Sequence, residues 1–395
     1  MCENAGAEVC VAESHSNQDP SLAGIAGAFL KLGTIAFGGP AAHVAMMEEE
    51  FVRRRGWLTE AEFLDRLAAA NLIPGPSSTE LAIFVGYMKR GWRGLIVAGC
   101  CFIIPAALIV LAIAWAYVRY GSLPQVSSML YAVKPVVVAV VLQALVKLAG
   151  SALRTPFLWV LGVLAMVASA AGVGPILILL LAGGVAASSS WARGRRLASI
   201  AIYPAKLLAG IAAVAAVIPA VPAGLLRLFL SFLKVGSVVF GSGYVLLAFL
   251  RSEFVEHLHW LSERQLLDAV AVGQFTPGPL FTTATFIGYL VAGWPGALVA
   301  TAGIFLPGFV LVAACGSLIP RLRNNRLVAS ALDGVAAGSI ALMAVVTWQL
   351  AEAALTDRFS AVMFLAAVVA LRFRVNSALL VAAGAATGWL AGVLH

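Results

Sequence analysis

Long apolar runs separated by short basic clusters dominate the pattern along this chain. A run of roughly 20 apolar residues is what an α-helix needs to cross a bilayer. Such runs predict helices at about 95–118, 129–149, 156–171 and 175–190, and again at about 297–319, 329–350, 359–371 and 375–393. Ahead of each set lie shorter apolar pieces interrupted by glycine and proline. The fold class this pattern predicts is an all-α polytopic integral membrane protein.

Composition sharpens that reading. The 395 residues are 62% hydrophobic and 11% charged, with a mean hydropathy of +0.97, against roughly 25% charged residues in a soluble protein. The net charge of +8 is spread over short loops, as expected of cytoplasmic loops rather than of a nucleic-acid surface. Residues 1–20 are polar and lack Lys and Arg, so they read as a disordered tail rather than a secretory signal. The five cysteines have no CxxC spacing, which leaves no disulfide or metal framework.

The chain repeats itself. Phe29-Leu-Lys-Leu-Gly-Thr-Ile-Ala-Phe-Gly38 matches Phe232-Leu-Lys-Val-Gly-Ser-Val-Val-Phe-Gly241, and Glu50-Phe-Val matches Glu253-Phe-Val. Trp57-Leu-Thr-Glu60 pairs with Trp260-Leu-Ser-Glu263, Asp65 with Asp268, and Pro74-Gly-Pro76 with Pro277-Gly-Pro279. The offset is 203, falling to 202 by Gly86/Gly288 and Pro105/Pro307. Residues 21–190 read as a first repeat, 191–206 as a basic linker, and 207–395 as an extra helix (about 207–222) followed by the second repeat.

Loop charge orients the copies. Residues 86–94 carry three basic residues where 288–296 carry none, and one loop later the bias reverses. Under the positive-inside rule the 88–94 loop and the N-terminus are cytoplasmic and the second copy is inverted.

Inverted repeats with interrupted apolar segments at matching places mark secondary transporters. Each copy has two interruptions: Phe37-Gly-Gly-Pro40 and Phe240-Gly-Ser-Gly243, then Pro74-Gly-Pro76 and Pro277-Gly-Pro279. Capping boxes Thr59-x-x-Glu62 and Ser262-x-x-Gln265 start the helices leading into the second interruption. From 60 to 72 such a helix is about 20 Å long, too short to cross, so the Pro-Gly-Pro joins either a re-entrant hairpin or a broken span. Helices restarting after Pro40, Pro76, Gly243 and Pro279 would present free amides and together roughly two positive charges, matched to a small oxyanion. Ser77, Ser78, Thr79, Ser242, Thr276, Thr282 and Thr283 supply hydroxyl donors nearby.

Lys31 and Lys234 occupy one repeated position, about 10 Å along the helix before the glycine break; they read as site cations or as snorkelling side chains. Glu80, an ionisable group beside a break, reads as a proton carrier, the coupling candidate, or as the partner of an arginine. His43 reads as a site contact or a packing residue. Glu49 and Glu50, four residues before Arg53 and Arg54, suggest helix-surface ion pairs, and Trp57, Trp260, Tyr87 and Tyr289 read as interface anchors. The sequence carries no catalytic constellation, metal-ligand spacing or nucleotide loop, so neither an enzyme nor a cofactor is expected.

Phe-x-Lys-x-Gly-x-x-x-Phe-Gly-Gly-Pro-x-x-His (29–43), Trp57-Leu-x-Glu60 and Ile73-Pro-Gly-Pro76 resemble the chromate ion transporter family in its two-domain tandem form. The resemblance implies a bacterial inner-membrane carrier that exports chromate, with sulfate as a similar competitor. It carries site roles to Lys31, Gly38, Gly39, Pro40, His43, Pro74, Gly75 and Pro76. In the second copy Lys234, Gly241, Ser242, Gly243, Pro277, Gly278 and Pro279 stand at or near the equivalent places; no proline or histidine follows the first break there, and Glu80 stands where many members have Gln. The alternatives are a carrier of sulfate or another inorganic anion, or an anion channel.

Overall fold

The computed structural model describes residues 20–193 and 224–394, apart from 38, 122, 241–242, 244, 316–325 and 374. The expected tail, nearly all of the linker and the extra helix at 207–222 lie outside these residues. Within them the chain is all-α, with seven helices from each half. The first half contains α1 (Leu22–Ile35), α2 (Gly39–Glu48), α3 (Glu60–Ala70), α4 (Ser77–Tyr120), α5 (Pro124–Ala152), α6 (Pro156–Ala170) and α7 (Pro175–Arg193). The second contains α8 (Leu225–Val238), α9 (Leu246–Leu250), α10 (Glu263–Phe275), α11 (Thr283–Cys315), α12 (Arg326–Ala354), α13 (Arg358–Arg372) and α14 (Ser377–Leu394). Helix n of the first half corresponds to helix n+7 of the second. Stretches of α4, α5, α11 and α12 are long and apolar enough to cross a membrane.

Both α4 and α11 fold back on themselves. Gly91 (φ +55°) and Gly293 (φ +62°) take the left-handed conformation that glycine adopts without a Cβ penalty. Gly86 then packs against the backbone of Gly94, and Gly288 against that of Gly296, so close that a Cβ on either would overlap the other chain. The exposed Trp92 and Trp294 mark the two turns and meet Tyr87 and Tyr289 edge-on at 6.2 and 6.0 Å. Glu62, at the start of α3, lies near Lys89, at the end of α4's first limb. The two segments therefore run antiparallel, and of the two arrangements the sequence left open, the Pro-Gly-Pro element joins a helical hairpin and not one continuous broken span.

The two sequence repeats interlock about a pseudo-two-fold axis. α5 packs on α13 and α14 of the other half, and α12 packs in the same way on α6 and α7. Glycines make these crossings close: Gly384 and Gly388 lie on Ala132 and Ser128, Gly334 and Gly338 on Ala182. α4 crosses α11, and α5 crosses α12, on the axis itself. One body thus comprises α1–α4 with α8–α11, and the other α5–α7 with α12–α14.

Candidate functional site

The first break ends α1 at Ile35 and α8 at Val238, leaving Ala36 and Val239 in extended backbone. Their carbonyls are captured by the opposite half: Gly278 N donates to Ala36 O at 2.8 Å, and Gly75 N donates to Val239 O at 2.7 Å. These bonds are equivalent under the repeat offset. Pro-Gly-Pro suits the task, because only its central residue has an N–H to give. Gly75 and Gly278 also hold φ of +133° and +93°, and a Cβ on Gly278 would fall 2.6 Å from that of Ala106. Two reciprocal hydrogen bonds therefore draw both kinds of break, from both halves, to one centre.

The helix ends at this centre differ from those outside it. At their outer ends α3 and α10 have complete capping boxes: Glu62 N donates to Thr59 Oγ1 (3.2 Å) and Thr59 N to Glu62 Oε2 (2.8 Å), and Ser262 and Gln265 repeat the pattern. α4 instead starts after Pro76, with no side-chain cap. The corresponding second-half segment starts after Pro279 with one 3-10 turn, Leu280–Thr282, also without a side-chain cap. α11 therefore begins at Thr283 and α9 at Leu246, both later than expected, whereas α2 begins at Gly39, within the Gly-Gly-Pro break.

Ser77, Ser78, Thr79 and Glu80, the first turn of α4, are all buried. His43 Nε2 lies 3.1 Å from Ala36 O and Nδ1 lies 3.3 Å from Ser78 Oγ. A carbonyl only accepts, so Nε2 carries the proton and the Ser78 hydroxyl donates to Nδ1 in the neutral ring. His43, edge-on to Phe102, thus ties α2 to the broken end of α1 and to the start of α4. The hydroxyls of Thr276, Thr282 and Thr283 donate to their own helix, at Val272 O, Pro279 O and Leu280 O. Thr79 Oγ1 has no hydrogen-bond partner among the described residues.

Glu80 is fully buried, and among the described residues neither carboxyl oxygen has a hydrogen-bond partner and no arginine pairs with it. The carboxyl lies over Gly75, where a Cβ would overlap Oε1, and faces Gly308 of α11. Over the equivalent glycine of the second half, Gly278, lies Ala106 and no carboxyl.

Lys31 and Lys234 make the same ion pair in each half, with Glu50 at 3.1 Å and with Glu253 at 2.7 Å. Both glutamates sit in π turns, Glu49–Arg54 and Arg251–His257, that continue α2 and α9. Neither lysine makes a polar contact with a Pro-Gly-Pro loop among the described residues. Glu50 also binds Arg55 (2.8 Å) and Arg54 (3.6 Å), and Glu49 binds Arg53 (3.9 Å). Pro40, Pro74 and Gly243 flank the centre, while Gly38, Gly241 and Ser242 lie outside the described residues.

One buried cluster escaped the sequence reading. Lys134 of α5 lies 3.4 Å from Asp268 of α10, whose other carboxyl oxygen accepts from the Tyr117 hydroxyl of α4 at 2.9 Å. The signal was present, since Lys134 is a lone cation in an apolar run and Asp268 is a repeated aspartate.

The sequence model of the chromate transporter family matches residues 23–187 and, a second time, residues 226–389. The chain belongs to the chromate transporter family. The chromate transport protein of Cupriavidus metallidurans is 34% identical over 91% of this chain and 90% of its own length. The probable chromate transport protein of Synechococcus elongatus is 34% identical over 79% of this chain and 81% of its own, and the chromate transport protein of Pseudomonas aeruginosa 31% over 82% and 80%. No solved structure matches it. This chromate transporter family member is thus a multi-pass membrane protein from a family of transporters, not of enzymes.

Proposed function

We propose that this protein is a secondary-active carrier that exports chromate across the bacterial inner membrane, binding the oxyanion at the midplane between the two repeats. The observation that carries the reading is the reciprocal pair of hydrogen bonds, Gly75 to Val239 and Gly278 to Ala36. Irregular backbone at membrane depth is tolerated where it is enclosed by protein or lines a watery cavity. Beside these bonds α4 starts without a side-chain cap and its first turn, Ser77, Ser78 and Thr79, is buried, and uncapped helix starts of this kind bind anions. The names of the relatives supply chromate as the substrate. The basic 88–94 loop supports a cytoplasmic N-terminus.

Glu80 is the coupling residue in this reading. An anion at the start of α4 and an ionised carboxylate there repel one another, so anion occupancy favours the protonated acid and the two cross together. A dianion with one proton carries one net negative charge outward. A cytoplasm-negative potential favours that step by about 2.3 kcal/mol per 100 mV.

Everted membrane vesicles test the function. Energised vesicles containing the protein accumulate chromate, and a protonophore abolishes the accumulation. No uptake above that of empty vesicles overturns the reading, and sulfate uptake without chromate uptake replaces the substrate.

A further inference from the structure

The two halves are equivalent in fold but not in packing. α10 is wedged against α4, α5, α12 and α14, whereas α3 leans on α4 and has no comparable packing against α12 or α7. Leu267 of α10 is 1% exposed, while its repeat equivalent Leu64 is 53% exposed. Val238, at the end of α8, is 5% exposed and its equivalent Ile35 46%. The buried apolar clusters divide in the same way. Residues of α8–α14 share one cluster with α5, and most core residues of α1–α4 form another. The body made of α5–α7 and α12–α14 is therefore closed onto the α10 side and withdrawn from the α3 side. Exchanging the arrangements of the halves would give the opposite state of the same fold.

A charge cluster sits where the closed side is sealed. Asp268 is 1% exposed and Lys134 6%. The pair joins α10 to α5, and Tyr117 adds a bond from α4. Arg264, one turn earlier on α10, donates to Ser127 at the start of α5 (3.2 Å). The equivalent aspartate of the open side, Asp65, is exposed, and at the 202 offset the positions of Lys134 and Tyr117 are Ala336 and Ile319, so this particular cluster is not repeated there. The repeat is symmetric in the helix that swings and asymmetric in what holds it.

We propose that Lys134, Tyr117 and Asp268 form a latch that holds the α10 side of the carrier shut and biases the protein toward the state open at α3. Parting two charges inside a dry interior is strongly unfavourable, because each loses its partner without gaining water. Once α10 has moved off α5 and water enters the gap, each charge is hydrated instead. The latch therefore resists partial opening and releases in one step, as a two-state gate requires. This inference rests on the secondary-carrier reading above, since such carriers open to one side at a time, but not on the identity of the transported ion.

Cysteine labelling tests it without any substrate. In full-length protein whose native cysteines have been replaced, Leu64→Cys and Leu267→Cys are reacted separately with a membrane-impermeant maleimide in open membrane sheets. With the latch intact, position 64 labels quickly and position 267 slowly. Asp268→Asn or Lys134→Gln raises labelling at 267 by about tenfold or more and lowers it at 64, because removing one partner of a buried ion pair leaves the other charge uncompensated and shifts a two-state equilibrium by at least that factor. The exchanged pair Lys134→Asp with Asp268→Lys restores slow labelling at 267. Tyr117→Phe, which keeps the ion pair, gives an intermediate shift in the same direction. Labelling that rises at both positions means general loosening and overturns the latch, as does labelling unchanged at both. Absence of chromate transport with the opposite shifts intact would instead overturn the substrate reading alone.

Discussion

Gly75 and Glu80 show how one glycine and one acid define a place in the membrane. The φ of +133° at Gly75 strains any L-residue, by about 1–3 kcal/mol, and the carboxyl of Glu80 fills the space a Cβ would take. Gly75→Ala should therefore abolish transport and lower the melting temperature of the detergent-solubilised protein. Gly56→Ala is the control: its φ is +59° but nothing lies within 4 Å of the added methyl, so transport should persist with a small loss of stability. Glu80→Gln keeps the volume and removes the ionisation. Chromate accumulation in vesicles should then lose its dependence on an imposed pH gradient while binding survives; an unchanged dependence would remove Glu80 from coupling. The paired lysines separate by exposure. The Lys31 side chain is 45% exposed and that of Lys234 22%, so Lys31→Ala should cost well under about 1 kcal/mol and Lys234→Ala more, read as melting temperatures of the two variants.

At the scale of elements, helix ends sort by what satisfies them. The outer ends of α3 and α10 are closed by capping boxes that Thr59-x-x-Glu62 and Ser262-x-x-Gln265 declare in the sequence, and removing either hydroxyl should cost about 1 kcal/mol. The Thr59 amide, with its hydroxyl and the nearby Lys89 and Arg66, holds the Glu62 carboxyl below the ordinary glutamate range. A depressed acid stabilises the folded state above its unfolded-state value, and this contribution is lost as pH falls from about 4.5 through the folded value. Thermal melts between pH 6 and 3 should thus converge for the native protein and a Glu62→Ala variant. The inner starts after Pro76 and Pro279 have no side-chain cap, and prolines and glycines made all four breaks legible as interruptions. The turns at Gly91 and Gly293 were not legible, because Gly-Trp between apolar segments reads equally well as a loop or as a tight fold-back. The close approach of Gly86 to Gly94 and of Gly288 to Gly296 exists only once the limbs are antiparallel.

For the whole molecule, the repeat in sequence is not the unit of packing. α5 is held by α13 and α14, and α12 by α6 and α7, so each half buries its long helices only in the presence of the other. Residues 1–206 and 207–395 expressed separately should be degraded, and their co-expression should restore a complex that co-purifies. Stable accumulation of either half alone would contradict the interlocked packing. In the proposed carrier, the body of α5–α7 and α12–α14 would close onto one helical hairpin at a time.

The all-α class, the duplication, the four interruptions and the capped helix starts were determined by sequence alone. Each is written in local chemistry: apolar run length, repeated motifs, and proline or glycine where a helix must stop. Which groups meet across the repeat was decided only in the tertiary structure. Lys31 and Glu50 are repeated neighbours of no evident relation until the π turn brings them together, and Asp268 finds Lys134 and Tyr117 from 134 and 151 positions away. Pairing at such distance depends on how two interlocked bundles lean, and identical local patterns in the two halves, Asp65 and Asp268 among them, end in different surroundings.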